Sequence, residues 1–202
     1  MKTIITLFTI VTISITGFSQ SPHKSYLGIE YTSLIEIESP SKHLNANAYR
    51  LSGSWISKIG IGVRSTIGYT QHESDQFNWR MGQVFIGPNY HYLPANWVLL
   101  EGALLPGFLY TKTGFAAWTD QNGNLVFQES VKDATFAISG NLSIALLPGK
   151  EKSNGIGVDL SYLNSKTNVT LQQYVPGASN KNHYLNYQML GIGVFYRRYL
   201  LR

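Results

Sequence analysis

Apolar side chains that alternate with small or polar ones at period two, 19 glycines among 202 residues, and no sustained apolar stripe at helical spacing together predict an all-β chain. The distribution of charge narrows the class. A soluble barrel turns large apolar residues inward and Lys or Glu outward, whereas here the oily face of each alternating stretch is almost free of charge, and Arg64 and Asp159 share the other face with Gly and Ser. Small polar residues with occasional charges fit a lumen, and Ile, Val, Leu and aromatics fit lipid. Only 13% of the residues are charged, about half the usual share for a soluble domain. The expected architecture is a transmembrane antiparallel up-and-down β-barrel of about eight strands, following an N-terminal signal peptide.

The signal peptide is expected at residues 1–19, with Lys2, an apolar stretch from Ile4 to Ile15, and Gly17-Phe18-Ser19 before a cleavage point at Gln20. The barrel domain then occupies residues 20–202. The absence of Cys excludes a lipoprotein anchor, a disulfide scaffold, a cysteine zinc site and a thiol enzyme.

Strands are expected near Tyr26 to Ile35 and Asn47 to Ser57, and then from Ile59 to Gln71, where Ile59, Ile61, Val63, Ile67 and Tyr69 oppose Gly60, Gly62, Arg64, Thr66 and Gly68. The fourth, Gln76 to Leu93, changes phase: Phe77, Trp79 and Met81 have one parity, and Val84, Ile86, Tyr90 and Tyr92 the other. A bulge near Gly82-Gln83 would return both sets to the lipid side and would also accommodate Pro88. Trp97 to Thr113 is the fifth. The sixth, Val126 to Leu147, sets Phe136, Ile138, Leu142, Ile144 and Leu146 against Ser139, Asn141, Ser143 and their neighbours. The seventh, Gly155 to Val169, sets Ile156, Val158, Leu160 and Tyr162 against Gly157, Asp159 and Ser161, and the eighth runs from Asn182 to Leu201. Tight turns at Ser57-Lys58, Pro94 to Asn96 and Pro148 to Asn154 alternate with longer connections at Glu38 to Ala46, Ala116 to Leu125 and Thr170 to Lys181, and a shorter one at His72 to Asp75. Short periplasmic turns, longer outside loops and an even strand number are the habit of outer-membrane barrels.

Aromatic residues mark two membrane interfaces. Trp55, Trp97, Tyr196 and Tyr199 stand near the short turns or the C-terminus, and Tyr31, Tyr49, Tyr69, Trp79, Tyr110 and Tyr162 stand at the opposite strand ends. The span from Ile59 to Tyr69, tilted as barrel strands are, climbs roughly 25 Å, the height of the apolar band. By parity Glu30, Arg50, Arg64, Arg80, Glu101, Asp159 and Arg197 face the lumen, where an interior of about eight strands is only wide enough for side chains and mixed charges form a plug of salt bridges.

The segment Phe85-Ile86-Gly87-Pro88-Asn89-Tyr90-His91-Tyr92-Leu93, with Trp97 to Gly102 after a turn, resembles the central hairpin of the outer-membrane β-barrel (porin-family) proteins of Bacteroidetes-type bacteria. The stretch Leu190-Gly191-Ile192-Gly193-Val194-Phe195-Tyr196-Arg197 is similar to that family's final strand, although Tyr199-Leu200-Leu201-Arg202 extend beyond the usual end. The resemblance implies a small barrel integral to the outer membrane, and most members of the family have no assigned activity.

Other constellations have structural readings. Gly-Ile-Gly-Val occurs at Gly60, Gly155 and Gly191, but Ser65, Leu160 and Tyr196 stand where a dinucleotide fingerprint needs its third glycine. His23, His43, His72, His91 and His183 are spread singly over expected loops and strand ends, so no metal site is expected. His72 and Ser74 invite comparison with membrane-embedded lipid A deacylases, yet they flank Glu73 at a loop tip, and their surroundings do not resemble that family. The net charge of +5 is scattered rather than striped, which excludes a nucleic-acid interface. The expected protein is a monomer with a plugged lumen, no cofactor and no catalysis. Its partners are outer-membrane lipids and the barrel assembly machinery, and its work is structural, binding or envelope assembly through the outside loops. A narrow passive pore, a lipid-modifying enzyme and a soluble periplasmic ligand-binding barrel are the alternatives.

Overall fold

The computed structural model describes residues 23–37, 45–73, 77–119, 125–171 and 181–201. The expected signal peptide and the tips of the longer connections lie outside them. Eight strands are formed: β1 (His23–Glu36), β2 (Asn45–Ile56), β3 (Ile61–Glu73), β4 (Phe77–Ala95), β5 (Val98–Thr119), β6 (Leu125–Leu146), β7 (Asn154–Leu171) and β8 (Lys181–Leu201). Each pairs antiparallel with the next, and β8 returns to β1, so the sheet closes into a barrel with no free edge.

Period two decides which side each residue takes. On the outside, Leu27, Phe108, Leu142 and Ile192 are 65 to 73% exposed, although a soluble fold would bury them. On the inside, Arg64 and Arg197 are fully buried. The barrel is therefore apolar outward and polar inward, as the alternation predicts. Trp55, Trp97 and Tyr196 are exposed toward the short-turn end, and Tyr31, Tyr49, Tyr69, Tyr110 and Tyr162 toward the other. The Trp79 side chain lies outside the description. Tyr199 differs from expectation: it is buried, because it shares the inward parity of Phe195 and Arg197.

The fourth strand also corrects the sequence reading. Its ladder with β3 runs without a shift from Glu73↔Asn78 to Ile61↔Tyr90, so no bulge occurs at Gly82-Gln83 and one parity holds throughout. Met81 is consequently buried inside, and Arg80, expected in the lumen, is exposed on the outer wall in the same phase as Val84 and Ile86. The ladder between β4 and β5 pairs Phe85↔Gly107 and resumes in the same register at Asn89↔Ala103. Pro88 and Pro106, which have no N–H to donate, fall inside that interval.

The short-turn end is built tightly. Between β2 and β3, Ser57 N–H donates to Ile61 at 2.8 Å and Gly60 N–H to Ser57 at 3.1 Å. Gly60 has φ +84°, and a Cβ there would run into the His91 carbonyl, so only glycine serves at this corner.

The lumen is layered. Toward the short turns Tyr26, Ile56, Leu99, Leu147, Phe195 and Tyr199 belong to one apolar cluster. Toward the long loops Leu34, Met81, Phe85, Leu105, Leu109 and Met189 belong to a second. Among the described residues, the buried charges Glu30, Arg50 and Glu101 lie between members of these two clusters on their own strands.

Ile138 sits in the outward band of β6, so Ile138→Arg should cost about 2–4 kcal/mol, the penalty for a cation on the lipid face of a barrel. Lys150→Gln in the exposed turn should change stability by less than about 0.5 kcal/mol. Urea titration of protein refolded into vesicles compares them, and equal losses would reverse the assignment of faces.

Candidate functional site

Four strands each supply one charge to a ring in the middle layer. Glu30 comes from β1, Arg64 from β3, Glu101 from β5 and Arg197 from β8. Arg64 Nη2 lies 2.6 Å from Glu30 Oε1, and its Nη1 lies 2.7 Å from Glu101 Oε1. Arg197 Nη1 lies 2.8 Å from Glu101 Oε2, and its Nη2 lies 3.2 Å from Glu30 Oε1. Charges of alternating sign therefore close a ring across the barrel axis. All four side chains are withdrawn from solvent.

Neighbours complete the layer. Tyr26 donates its hydroxyl to Glu101 Oε1 at 3.1 Å, and His91 Nε2 lies 2.9 Å from Glu101 Oε2. Asn89 Nδ2 also lies 2.8 Å from His91 Nε2 and donates to Ser54 Oγ at 2.9 Å. One ring nitrogen cannot serve a donor and an acceptor at once, and the carboxylate is the stronger claimant on its proton. The guanidinium of Arg197 stacks over Phe195 at 3.9 Å and Tyr26 at 4.6 Å, which joins the ring to the apolar layer below.

Asp159 on β7 accepts from Ser143 at 2.7 Å and from Asn141 at 3.1 Å, and Arg197 Nη2 reaches Ser143 at 3.4 Å. Arg50, the cross-strand partner of Glu30, is buried beside it. Glycine makes room for both long cations: a Cβ at Gly28 would lie 2.7 Å from Arg197 Cγ, and one at Gly68 would lie 2.8 Å from Arg50 Cγ. These lumen glycines are spacers for arginine.

Six of the seven charges expected in the lumen are thus brought into one layer, and Arg80 is not among them. His91, expected to be a solvated end residue, and Tyr26 also belong to it. Parity could have found both, because His91 alternates with the outward Tyr90 and Tyr92, and Tyr26 shares the phase of Glu30. Among the described residues no three His, Asp or Glu side chains converge as a metal site. His72 lies in β3 with its side chain outside the description, as Ser74 is altogether. A groove of about 800 Å³ lined by Ile29, Tyr31, Tyr49, Leu51, Ile67 and Tyr69 opens on the outer wall rather than in the lumen.

No family model matches the chain, and no curated relative does. Solved structures do. OprG of Pseudomonas aeruginosa, an outer membrane protein, superposes with a TM-score of 0.60 at 10% identity, covering 90% of this chain and 99% of its own. Neisserial surface protein A gives 0.58 at 9% identity, over 88% and 97% of the two chains. Ail, the attachment invasion locus protein of Yersinia pestis, gives 0.51 at 16% identity, over 89% and 99%. The fold is that of a small outer-membrane barrel. At these identities the likeness is one of architecture alone, so the chemistry of the lumen has to be argued from this chain.

Taking one member from a buried ionic cluster strands the others, so Glu101→Gln should lower stability by about 3–5 kcal/mol. Tyr26→Phe, which removes one hydrogen bond to a carboxylate that keeps its other partners, should cost only about 1–3 kcal/mol. Urea midpoints in a common detergent test the order, and a larger loss for Tyr26→Phe would contradict the ring's central place.

Proposed function

We propose that this chain is a monomeric, sealed β-barrel of the bacterial outer membrane that serves as a structural, binding or envelope-assembly component through its long-loop end. The observation that carries this reading is the ring of Glu30, Arg64, Glu101 and Arg197 closed between two apolar layers. A permeating ion would have to break desolvated pairs and then cross packed Leu, Met and Phe on the long-loop side, which argues against a water-filled path.

Its partners on this reading are outer-membrane lipids and, during biogenesis, the barrel assembly machinery, and it involves no cofactor and no catalytic step. The resemblance to Bacteroidetes-type porin-family proteins supports it, because the two resembling stretches hold His91 and Arg197 and thus carry part of the lumen layer. The name of Ail speaks of attachment, a use of the fold that requires no open lumen.

Purified protein in planar bilayers should show no steady conductance, and Arg64→Ala should lower the urea midpoint without opening a channel. Steady single-channel currents from the unmodified protein, with an ion preference altered by Arg64→Ala, would make a narrow pore the function instead.

A further inference from the structure

The net charge of +5 is scattered along the sequence, but the fold gathers it at one end. Among 16 cations and 11 anions, the lumen holds three of each: Arg50, Arg64 and Arg197 against Glu30, Glu101 and Asp159. Lys2 belongs to the expected leader. By chain position, the long connections and the strand ends that adjoin them carry six cations and seven anions. The excess therefore falls at the short-turn end, where Lys24, Lys58, Lys150, Lys152, Arg198 and Arg202 stand against Glu151. Lys24, Lys58, Lys150 and Arg198 are exposed. These cations form an arc of the rim that runs from the turn between β6 and β7, through β8 and β1, to the turn between β2 and β3. The corner from Pro94 to Asn96 carries no charge.

Two features turn this arc toward lipid rather than toward a soluble partner. Arg198 shares the outward parity of Val194 and Tyr196, so it projects from the wall of the barrel. Its Nη1 donates to Asn154 Oδ1 at 3.2 Å, and the Tyr196 hydroxyl donates to the same oxygen at 2.8 Å, which holds the guanidinium beside an interface aromatic. Lys58 likewise follows the exposed Trp55 by three residues. Tyr199 N–H donates to the Ser153 carbonyl at 2.7 Å, so the turn that carries Lys150 is pinned against the end of β8. Tyr and Trp sit at headgroup level in membranes, and cations at that level attract anionic lipid. We propose that this arc of the short-turn rim holds anionic phospholipid headgroups of the periplasmic leaflet, with Lys24, Lys58, Lys150 and Arg198 as their counter-charges. The proposal rests on the membrane reading above and adds to it a leaflet and a headgroup charge.

The test is electron spin resonance of the full chain in phosphatidylcholine vesicles that hold a trace of spin-labelled phosphatidylglycerol or spin-labelled phosphatidylcholine. At low salt the barrel should immobilise phosphatidylglycerol about fivefold in preference, the worth of one cation near a headgroup plane. In 1 M salt, where the screening length falls to about 3 Å, the preference should vanish. K24Q/K58Q/K150Q/R198Q should lose it at low salt, K24R/K58R/K150R/R198K should keep it, and Lys112→Gln, toward the long-loop end, should leave it unchanged. Equal immobilisation of the two lipids by the unmodified protein, a preference that survives 1 M salt, or one that survives K24Q/K58Q/K150Q/R198Q would each overturn the proposal. The first two comparisons need no variant, so they decide even where the fourfold variant does not insert. Binding of purified peptidoglycan by a protein with no lipid preference would give the arc to the cell-wall polymer instead. Resistance to carbonate extraction is measured in parallel. A protein that resists but shows no headgroup preference refutes the lipid arc alone, whereas release by carbonate refutes the membrane reading and the arc with it.

Discussion

The constraint on which the rest depends is that four charges from four strands have nowhere to go but toward each other. The outer face of the barrel meets hydrocarbon, so Glu30, Arg64, Glu101 and Arg197 must turn inward, and inside they are stripped of water. Buried ions are tolerable only when their partners are placed well, and here the pairs span sequence separations from 34 to 167 residues. A slip of one residue on β3 would send Arg64 into lipid and take from Glu30 and Glu101 the cation they share at 2.6 and 2.7 Å. The ring therefore acts on register: it makes one closure of the sheet far better than its neighbours. Gly28 and Gly68 fit this account, because the stems of Arg197 and Arg50 occupy the space their side chains would fill.

The apolar layers above and below follow from the same constraint. A guanidinium exposed to water at one end of the lumen would gain hydration and lose part of its hold on a carboxylate, because screening weakens such pairs. Phe195, Tyr26 and Leu99 on one side, and Phe85, Leu105 and Leu109 on the other, keep the middle layer dry and its electrostatics strong. On the proposed reading, closure to ions is then a consequence of how the register is fixed.

Most of this was legible in the sequence because strand alternation has a period of two, and one charged residue reveals the parity of its whole strand. That is how Arg64, Asp159 and Glu101 disclosed the lumen. The same rule fails at β4, where Phe77, Trp79 and Met81 are assigned to lipid along with Val84 and Ile86 of the opposite parity. Met81 and Phe85 are apolar and inward, since the lumen has apolar layers of its own, and mistaking Met81 for a lipid-facing residue required a bulge that the ladder does not contain. Arg80 was displaced by that error. Tyr199 was misread for a related reason, since an aromatic residue near the barrel end serves equally as an interface anchor or as a lid over the lumen, and only its contact with Tyr26 in three dimensions decides. What the parity rule does not supply is the pairing within the layer, because it places a charge inside without saying which partner it meets.

Past the aromatic positions the logic of parity lapses, and the strands show it. The ladder between β5 and β6 keeps one register from Val98↔Leu146 to Thr113↔Val131, and its irregularities fall between Thr113 and Phe115 and between Phe115 and Trp118. Within the membrane an extra residue would swap the lumen and lipid faces of everything that follows it, which is costly on both sides. Beyond Tyr110, neither lipid nor the charged layer enforces the alternation, so a bulge there changes only the aim of the hairpin. The interior holds one register rigidly, while the outer hairpin is free to vary in length and direction without disturbing the ring. On the proposed reading, a division of this kind favours recognition at the long-loop end for a physical reason: sequence there can change without stranding a buried charge.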